Sequence, residues 1–424
     1  MSTPLEYDVI VVGGGPAGSS VSTHLARGGL RVGLFEREPF PRFHEGESLL
    51  PATLPVLDRL GVHDAVAARG FQIKYGASFS DQESNVEKDF FFLDRQPWPS
   101  HSYEVPRAEF DTILLEHARK QGVVVHQPAS VNGIQVEDGG VSVTVTEHGE
   151  TLTAQGAFLV DASGRDGFLA TRVGQRERVP NLGKVALFAH FRGGARVPGR
   201  GAGNIQIHVF EDGWFWYIPF STGVTSVGSV LHAKTVRAWQ ESHEDLFAEM
   251  IRRCRRVAAN LQGAERITPV RPVANFAYVN RPVVGDRFLA VGDAVAFVDP
   301  IFSTGVHIAL QSGELAAQAV LRAFATQRFE AASFAAYERA VWRGIRPFFK
   351  FIHRYYEPAF FELFLQPRNF LGVLNSVLFV LSGGAFLSMP WKKRFGLSVL
   401  FGLTRMKTWA RRWAGKPVES RLEW

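Results

Sequence analysis

The chain has 424 residues, 46% hydrophobic content, a single cysteine and a formal charge of +6. That length and apolar fraction support a substantial core and exclude a disordered or fibrous chain, and a lone Cys254 excludes an internal disulfide. The basic balance does not point to nucleic acid, because Lys and Arg are spread along the chain with no dense interior block and no nucleic-acid motif; the opening Met-Ser-Thr-Pro-Leu-Glu-Tyr has neither a basic leader nor an apolar core, so a cytoplasmic location is expected.

The first element is an apolar strand, Tyr7 to Val12, which runs into Gly13-Gly-Gly-Pro-Ala-Gly18 and then into a segment of helical periodicity, Ser19 to Arg27. In such a strand, turn and helix, Gly13 permits the tight turn, Gly15 lets the backbone approach a pyrophosphate, and Gly18 allows close helix packing. The helix N-terminus offers its N–H groups to the phosphates. A second strand, Leu30 to Phe35, ends at Glu36, placed to accept the ribose hydroxyls of an adenosine. The pattern predicts a dinucleotide, either NAD or FAD.

Three later segments bear on that choice. Arg107 opens a helix in Pro106-Arg-Ala-Glu-Phe-Asp111, and Phe158-Leu-Val-Asp-Ala-Ser-Gly164 and Asp286-Arg-Phe-Leu-Ala-Val-Gly-Asp-Ala294 each read as a strand ending at small and acidic residues. Singly, each of the two strands is a buried strand with a turn. In this order the three resemble the FAD-dependent aromatic hydroxylase superfamily, which implies FAD, contacted by Arg107 and Asp161, with Asp293 on the ribityl chain. Gly199-Arg-Gly-Ala-Gly203 follows Val-Pro and precedes Asn204, so it is predicted to be a loop, not a second fingerprint for a nicotinamide. The resemblance therefore implies electrons from outside, as reduced flavin from a partner flavin reductase or through transient nicotinamide binding. Gly213-Trp-Phe-Trp-Tyr-Ile-Pro219 reads as a strand with the Trp214 and Trp216 rings on one face, which by itself is core packing.

Four segments make the chain resemble the flavin-dependent halogenases more closely: Pro41-Arg-Phe-His-Glu-Gly-Glu-Ser-Leu-Leu-Pro51, Gly70-Phe-Gln-Ile-Lys-Tyr-Gly-Ala77, the tryptophan run, and Val298-Asp-Pro-Ile-Phe-Ser-Thr-Gly-Val-His-Ile-Ala309. The family forms a flavin hydroperoxide, halide attacks it, and hypohalous acid travels to a lysine beside an aromatic substrate. Lys74 matches that lysine, although a lysine between Ile73 and Tyr75 is ordinarily an exposed strand residue with a snorkelling stem. Ser303, Thr304 and Gly305 match the halide-holding loop, with chloride or bromide as the halide. Trp214, Trp216 and Phe302 are implied to lie between flavin and substrate, where bulk suppresses direct hydroxylation. Ala17, Arg42, Ser48, Gly305 and Val306 join the cofactor-binding set, as does Asp299, which in some members is bonded to the flavin.

The sequence departs from the tryptophan-type members at Phe302, where they carry a glutamate. Its loss removes a candidate base and a partner for Lys74. The Phe-Ser-Thr-Gly-Val-His form resembles the subgroup acting on phenols and pyrroles, free or tethered to an acyl carrier protein. An FAD-dependent aromatic hydroxylase, a lipid oxidoreductase of the geranylgeranyl reductase kind and a flavin-binding protein without turnover are the competing readings.

Beyond Arg346 the composition turns aromatic and apolar. Phe370 to Met389 has the length of a membrane span, but Asn375, Ser376, Ser382 and Gly383-Gly384 interrupt it. Leu397 to Trp413 has apolar positions at helical spacing with Arg405, Lys407, Arg411 and Arg412 between them, suited to a lipid surface or an acidic carrier protein. The expected fold is α/β: an FAD-binding Rossmann-like three-layer domain, an interleaved antiparallel-sheet substrate domain and a helical C-terminal region. Residues 1–346 form the first module, with substrate segments near 75–105 and 180–280, and 347–424 cover the substrate cavity.

Overall fold

The computed structural model describes residues 4–94, 96–297, 299–366, 370–387, 389–416 and 418. The fold is α/β. Strand Leu5–Val12 lies at the centre of a parallel array, flanked on one side by Val32–Phe35 and Val124–His126 and on the other by Glu150–Asp161 and Phe288–Ala290. Its residues alternate between two cores. Val9 and Val11 pack with Val21 and Leu25 of helix Pro16–Arg27, whereas Ile10 and Val12 pack with Val141, Val143 and Val145 of an antiparallel meander. Both faces are thereby covered, as a parallel sheet requires, and the three layers are helices, sheet and meander.

The second sheet gathers strands distant in sequence: Val86–Phe91, Gly76–Asp81, Ile205–Phe210, Gly213–Pro219, Val224–His232, Gln175–Arg192, Arg271–Arg281 and Ala296–Phe297, in that spatial order. Period-two alternation splits the tryptophan strand. Trp214, Trp216 and Ile218 join the core facing the first domain, while Phe215 and Tyr217 pack with Leu246, Phe247 and Met250 on the outer side. Trp216 stands opposite Gly228, which in turn stands opposite Phe188, and a Cβ on Gly228 would run into the Trp216 ring. A small two-stranded sheet pairs Gln72–Lys74 with Ser102–Glu104.

The C-terminal region is helical, but it does not begin at 347. Helix Ala335–Tyr355 runs through that position, with Pro347 in its interior, so the expected boundary falls within one element. Helices Pro358–Leu365, Val373–Leu381 and Trp391–Trp413 follow, and positions 367–369, 388, 417 and 419–424 of the expected region lie outside the described residues. The apolar run from Phe370 yields a nine-residue helix and a short 3-10 turn at Gly384–Phe386. Among the described residues no helix is long and apolar enough to cross a membrane.

Gly228→Ala should lower stability by about 1–3 kcal/mol, the usual range for overpacking a filled core, read as a lower urea midpoint with unchanged slope. A midpoint equal to that of the parent would show that the Trp216 ring moves aside freely.

Candidate active site

The glycine turn after Leu5–Val12 is shaped by close backbone approach. Gly13 has φ +103°, and a Cβ there would collide with the Ala162 carbonyl; one on Gly18 would collide with the Gly13 carbonyl. Gly15 differs, since a Cβ there would meet only the Arg42 guanidinium, at 3.4 Å. Glu36, buried at the end of its strand, accepts from the Gly14 N–H at 2.7 Å and the Glu38 N–H at 2.8 Å. Arg107 makes a bidentate pair with buried Asp111 at 2.7 and 2.9 Å and donates to the Glu45 carbonyl at 2.6 Å.

These groups wall a cavity of about 730 Å³. Gly13, Gly15, Ala17, Glu36, Arg42, Ser48, Arg107 and Asp293 line it, as do Ser303, Thr304, Gly305, Val306, Trp214 and Trp216. Burial raises the Asp293 carboxyl to about 6, against the pull of Arg165 and Arg107. Three expected cofactor residues do not line it. Gly18 is spent on helix packing, and Asp161 accepts from the Ser163 N–H and hydroxyl and the Leu169 N–H, which turns the chain after its strand. Asp299 accepts from the Tyr356 hydroxyl at 2.7 Å and the Ile301 N–H at 3.1 Å, with Lys184 at 3.8 Å. Through Tyr356 this carboxylate also anchors Trp214, whose indole N–H donates to the Tyr356 hydroxyl at 3.2 Å.

Ser303 has left-handed φ +56°, and Thr304 holds the N-cap of helix Gly305–Thr326 without a side-chain cap bond. The loop thus presents two hydroxyls and the positive end of a 22-residue helix to the cavity.

Lys74 is only 1% exposed, so the snorkelling expected of a lysine at such a site does not occur. Its ammonium donates to the Ser48 hydroxyl at 2.6 Å, lies 3.8 Å from Glu104 and sits over the Phe92 ring at 5.7 Å. Burial pushes the Lys74 pKa down and raises Glu104 to about 8, each partner opposing the other's shift. The loss of a lysine partner expected from Phe302 is therefore corrected: Glu104, two positions along the paired strand from Ser102, which stands opposite Lys74, supplies a carboxyl. Sequence reasoning missed it, and the alternation that puts Glu104 on the face of Lys74 becomes visible only once the two strands are paired. Phe302 instead joins an aromatic cluster, 5.2 Å from the Phe351 ring and 5.3 Å from that of Tyr355.

A second, tighter pocket adjoins Lys74, with room of about 20 Å³, close to one water molecule. Leu50, Phe79, Phe90, Phe92, Phe302, and Leu378 and Leu381 of helix Val373–Leu381 are among its walls. Ile205 and Ser303 line both this pocket and the large cavity, so the two spaces meet there. Trp214 and Trp216 stand on the large-cavity side, whereas Phe302 stands on the Lys74 side.

The tryptophan halogenase family model matches residues 8–97 and 96–359. The chain belongs to the flavin-dependent halogenases. It is 33% identical over 397 residues to a 1H-pyrrole-2-carbonyl-[peptidyl-carrier protein] chlorinase of Pseudomonas fluorescens, covering 87% of this chain and 88% of that one. It is 36% identical over 348 residues to a tryptophan 2-halogenase of Chondromyces crocatus, covering 80% of this chain and 66% of that one. The solved flavin-dependent brominase Bmp2 superposes with a TM-score of 0.85 at 28% identity, covering 95% of this chain and all of that one.

The halogenase is thus an FAD-dependent enzyme with halide as a substrate, and the competing readings fall away. The large cavity fits the cofactor: its volume, its glycine turn without side chains and the Arg42 guanidinium beside Gly15, one nitrogen of which is buried without a hydrogen-bond partner among the described residues, suit a long, anionic dinucleotide. Gly15→Val should project a side chain into that space without straining the turn. FAD titration should then show at least about a tenfold weaker Kd, the scale of one displaced phosphate contact, with the thermal midpoint of the FAD-free protein unchanged; unaltered FAD affinity would remove Gly15 from the site.

Proposed function

We propose that the halogenase chlorinates or brominates a neutral, electron-rich aromatic, a phenol or a pyrrole, at Lys74. The observation that carries this is the pocket itself. Among its lining residues Lys74 is the one ionisable side chain, and the rest, apart from Ser303, are aliphatic or aromatic. A free amino acid would need partners for its carboxylate and ammonium, which this lining does not provide. An aromatic ring exceeds about one water's volume, so its entry displaces lining side chains such as Phe302, Leu378 and Leu381.

Bound reduced FAD, with oxygen and halide, supplies hypohalous acid in the large cavity. Gly13, Gly15, Ala17, Glu36, Arg42, Arg107 and Asp293 hold the cofactor there, and the Ser303, Thr304 and Gly305 loop holds the halide with hydroxyls and helix N–H groups. Ser48 lines that cavity and also accepts from Lys74, so an oxidant leaving it meets the lysine next. The Lys74 ammonium donates a proton to the hypohalous oxygen, which departs as water as the ring carbon bonds the halogen. The ring proton then returns to the Lys74 amine, closing the balance. Glu104 is a positioning residue: its carboxyl lies 3.8 Å from the Lys74 ammonium and, once ionised, favours the charged lysine. Trp214 and Trp216, held by Tyr356 and Ser226, keep the large cavity narrow on the side facing the sheet.

The similarity to a pyrrole-carrier-protein chlorinase supports a substrate tethered to a carrier protein, and the single dinucleotide fingerprint supports a partner flavin reductase. A pyrrole thioester on its carrier should then be halogenated where the free acid is not.

With reduced FAD, oxygen, bromide and an activated phenol, Lys74→Ala should lower brominated product by about 100-fold or more, the scale of a lost general acid, while FAD binding persists. Hydroxylated product from the parent, or bromination by Lys74→Ala above a free-hypobromite control, would sink the assignment.

Glu104 gives a pH test with a definite sign. Its carboxyl is raised from 4.5 to about 8, so its ionisation as pH rises stabilises the Lys74 ammonium. In Glu104→Gln burial alone governs Lys74, and the alkaline limb of kcat/KM should move to lower pH by about one unit, with Glu104→Asp restoring part of the shift. The raised carboxyl also ties stability to pH. Its bound proton contributes fully below pH 4.5, and the contribution is lost as pH climbs to about 8. The parent's thermal midpoint should fall over that window more steeply than that of Glu104→Gln; parallel curves would show that Glu104 is ionised throughout.

A further inference from the structure

Helix Trp391–Trp413 is apolar on two faces. Its inner face, with Gly396, Leu397, Leu400 and Thr404, is buried. A Cβ on Gly396 would strike Ser376 and the Gly372 carbonyl, so the helix crosses its neighbour Val373–Leu381 closely. Lys393 donates to the Asn375 carbonyl at 3.1 Å, and Lys407 and Arg411 pair with Glu362. These contacts fix the rotation of the helix and so decide what its other face presents.

That other face carries Trp391, Phe395, Met406, Trp409 and Trp413, spaced at four, fifteen, eighteen and twenty-two residues from the first and hence on one stripe. Trp391, Met406, Trp409 and Trp413 are between 68% and 85% exposed, and Phe395 is half exposed. Arg394, Arg405 and Arg412, spaced by eleven and seven residues, run along one edge of the stripe, and Lys392 flanks the other; all four are exposed. From Trp391 to Lys416 there is no Asp or Glu. Phe370, Leu371 and Leu387, in the loops bracketing Val373–Leu381, are exposed as well.

We propose that this helix docks the halogenase on an anionic lipid surface, lying in the plane of the interface with its tryptophans in the headgroup layer. The charge is complementary, since a row of arginines without any carboxylate suits a negatively charged bilayer. The shape selects lipid over a protein partner. The stripe is about 34 Å long at the usual helical rise but one side chain wide, whereas a stable protein interface is a compact patch of about 800 Å² per partner. A plane accepts such a stripe along its full length, and indoles at both ends suit an interface that is apolar on one side and wet on the other. The surface is also one helix removed from the reaction site, because Leu378 and Leu381 of the neighbouring helix line the Lys74 pocket. The inference does not depend on which aromatic is halogenated.

The test uses the full-length holoenzyme and sedimentation with vesicles of phosphatidylcholine alone or with about 30 mol % phosphatidylglycerol. Binding to the anionic vesicles is expected, at least about tenfold tighter than to the neutral ones and weakened by high salt. Trp409→Ser with Trp413→Ser, and separately Arg405→Glu with Arg412→Glu, should each weaken binding about tenfold or more, with FAD content, thermal midpoint and bromination of a water-soluble phenol unchanged. Equal binding to both vesicle types, no sedimentation with either, or variants that bind as the parent does would overturn the proposal. So would light scattering that shows the parent dimeric and the tryptophan variant monomeric, because a second copy would then occupy the stripe.

Discussion

Taking the Lys74 ammonium out of water is the constraint on which the rest of the site depends. An ammonium that is 1% exposed is tolerated only with partners close by, and three elements distant in sequence provide them. Ser48 comes from the loop before the 3-10 turn at Pro51–Thr53, Glu104 from the strand paired with that of Lys74, and Phe92 from the end of strand Val86–Phe91. Ser48 and Glu104 are themselves bridged through the backbone, so the two partners are held in fixed relation. Burial disfavours charge on Lys74 and Glu104 alike, and each partner opposes the other's shift.

The same burial explains the division of space. A cavity wide enough for FAD and a pocket of about one water's volume share Ile205 and Ser303, and Ser48 touches Lys74 across the boundary. The tryptophans are a wall of the large cavity. Trp216 is clamped between Phe188 and the room left by Gly228, and Trp214 is tied through Tyr356 to Asp299, with Lys184 close behind. Asp299 is thereby committed to holding protein elements together.

The C-terminal helices contribute Leu378 and Leu381 to the Lys74 pocket. Helix Ala335–Tyr355 delivers Phe351 and Tyr355 onto Phe302, so that position sits among rings that would strongly disfavour a charge. Helix Val373–Leu381 completes the pocket, and Trp391–Trp413 lies outside it.

The glycine turn, Glu36, the Arg107 helix and the one-sided placement of Trp214 and Trp216 were legible in the sequence, because each is set by local geometry: a turn that excludes Cβ atoms, a helix N-terminus, the two-residue period of a strand. So was the family, carried by short motifs in a fixed order. What only the tertiary structure decided are properties of contacts between distant segments. The burial of Lys74, the arrival of Glu104 beside it, the commitment of Asp161 and Asp299 to protein hydrogen bonds, and the continuity of a helix through residue 347 depend on strand pairing and packing, which no local pattern encodes. The outward stripe of the last helix belongs to both: its spacing is in the sequence, but which of two apolar faces would be left to solvent was settled by the glycine and ion-pair contacts that seat the other.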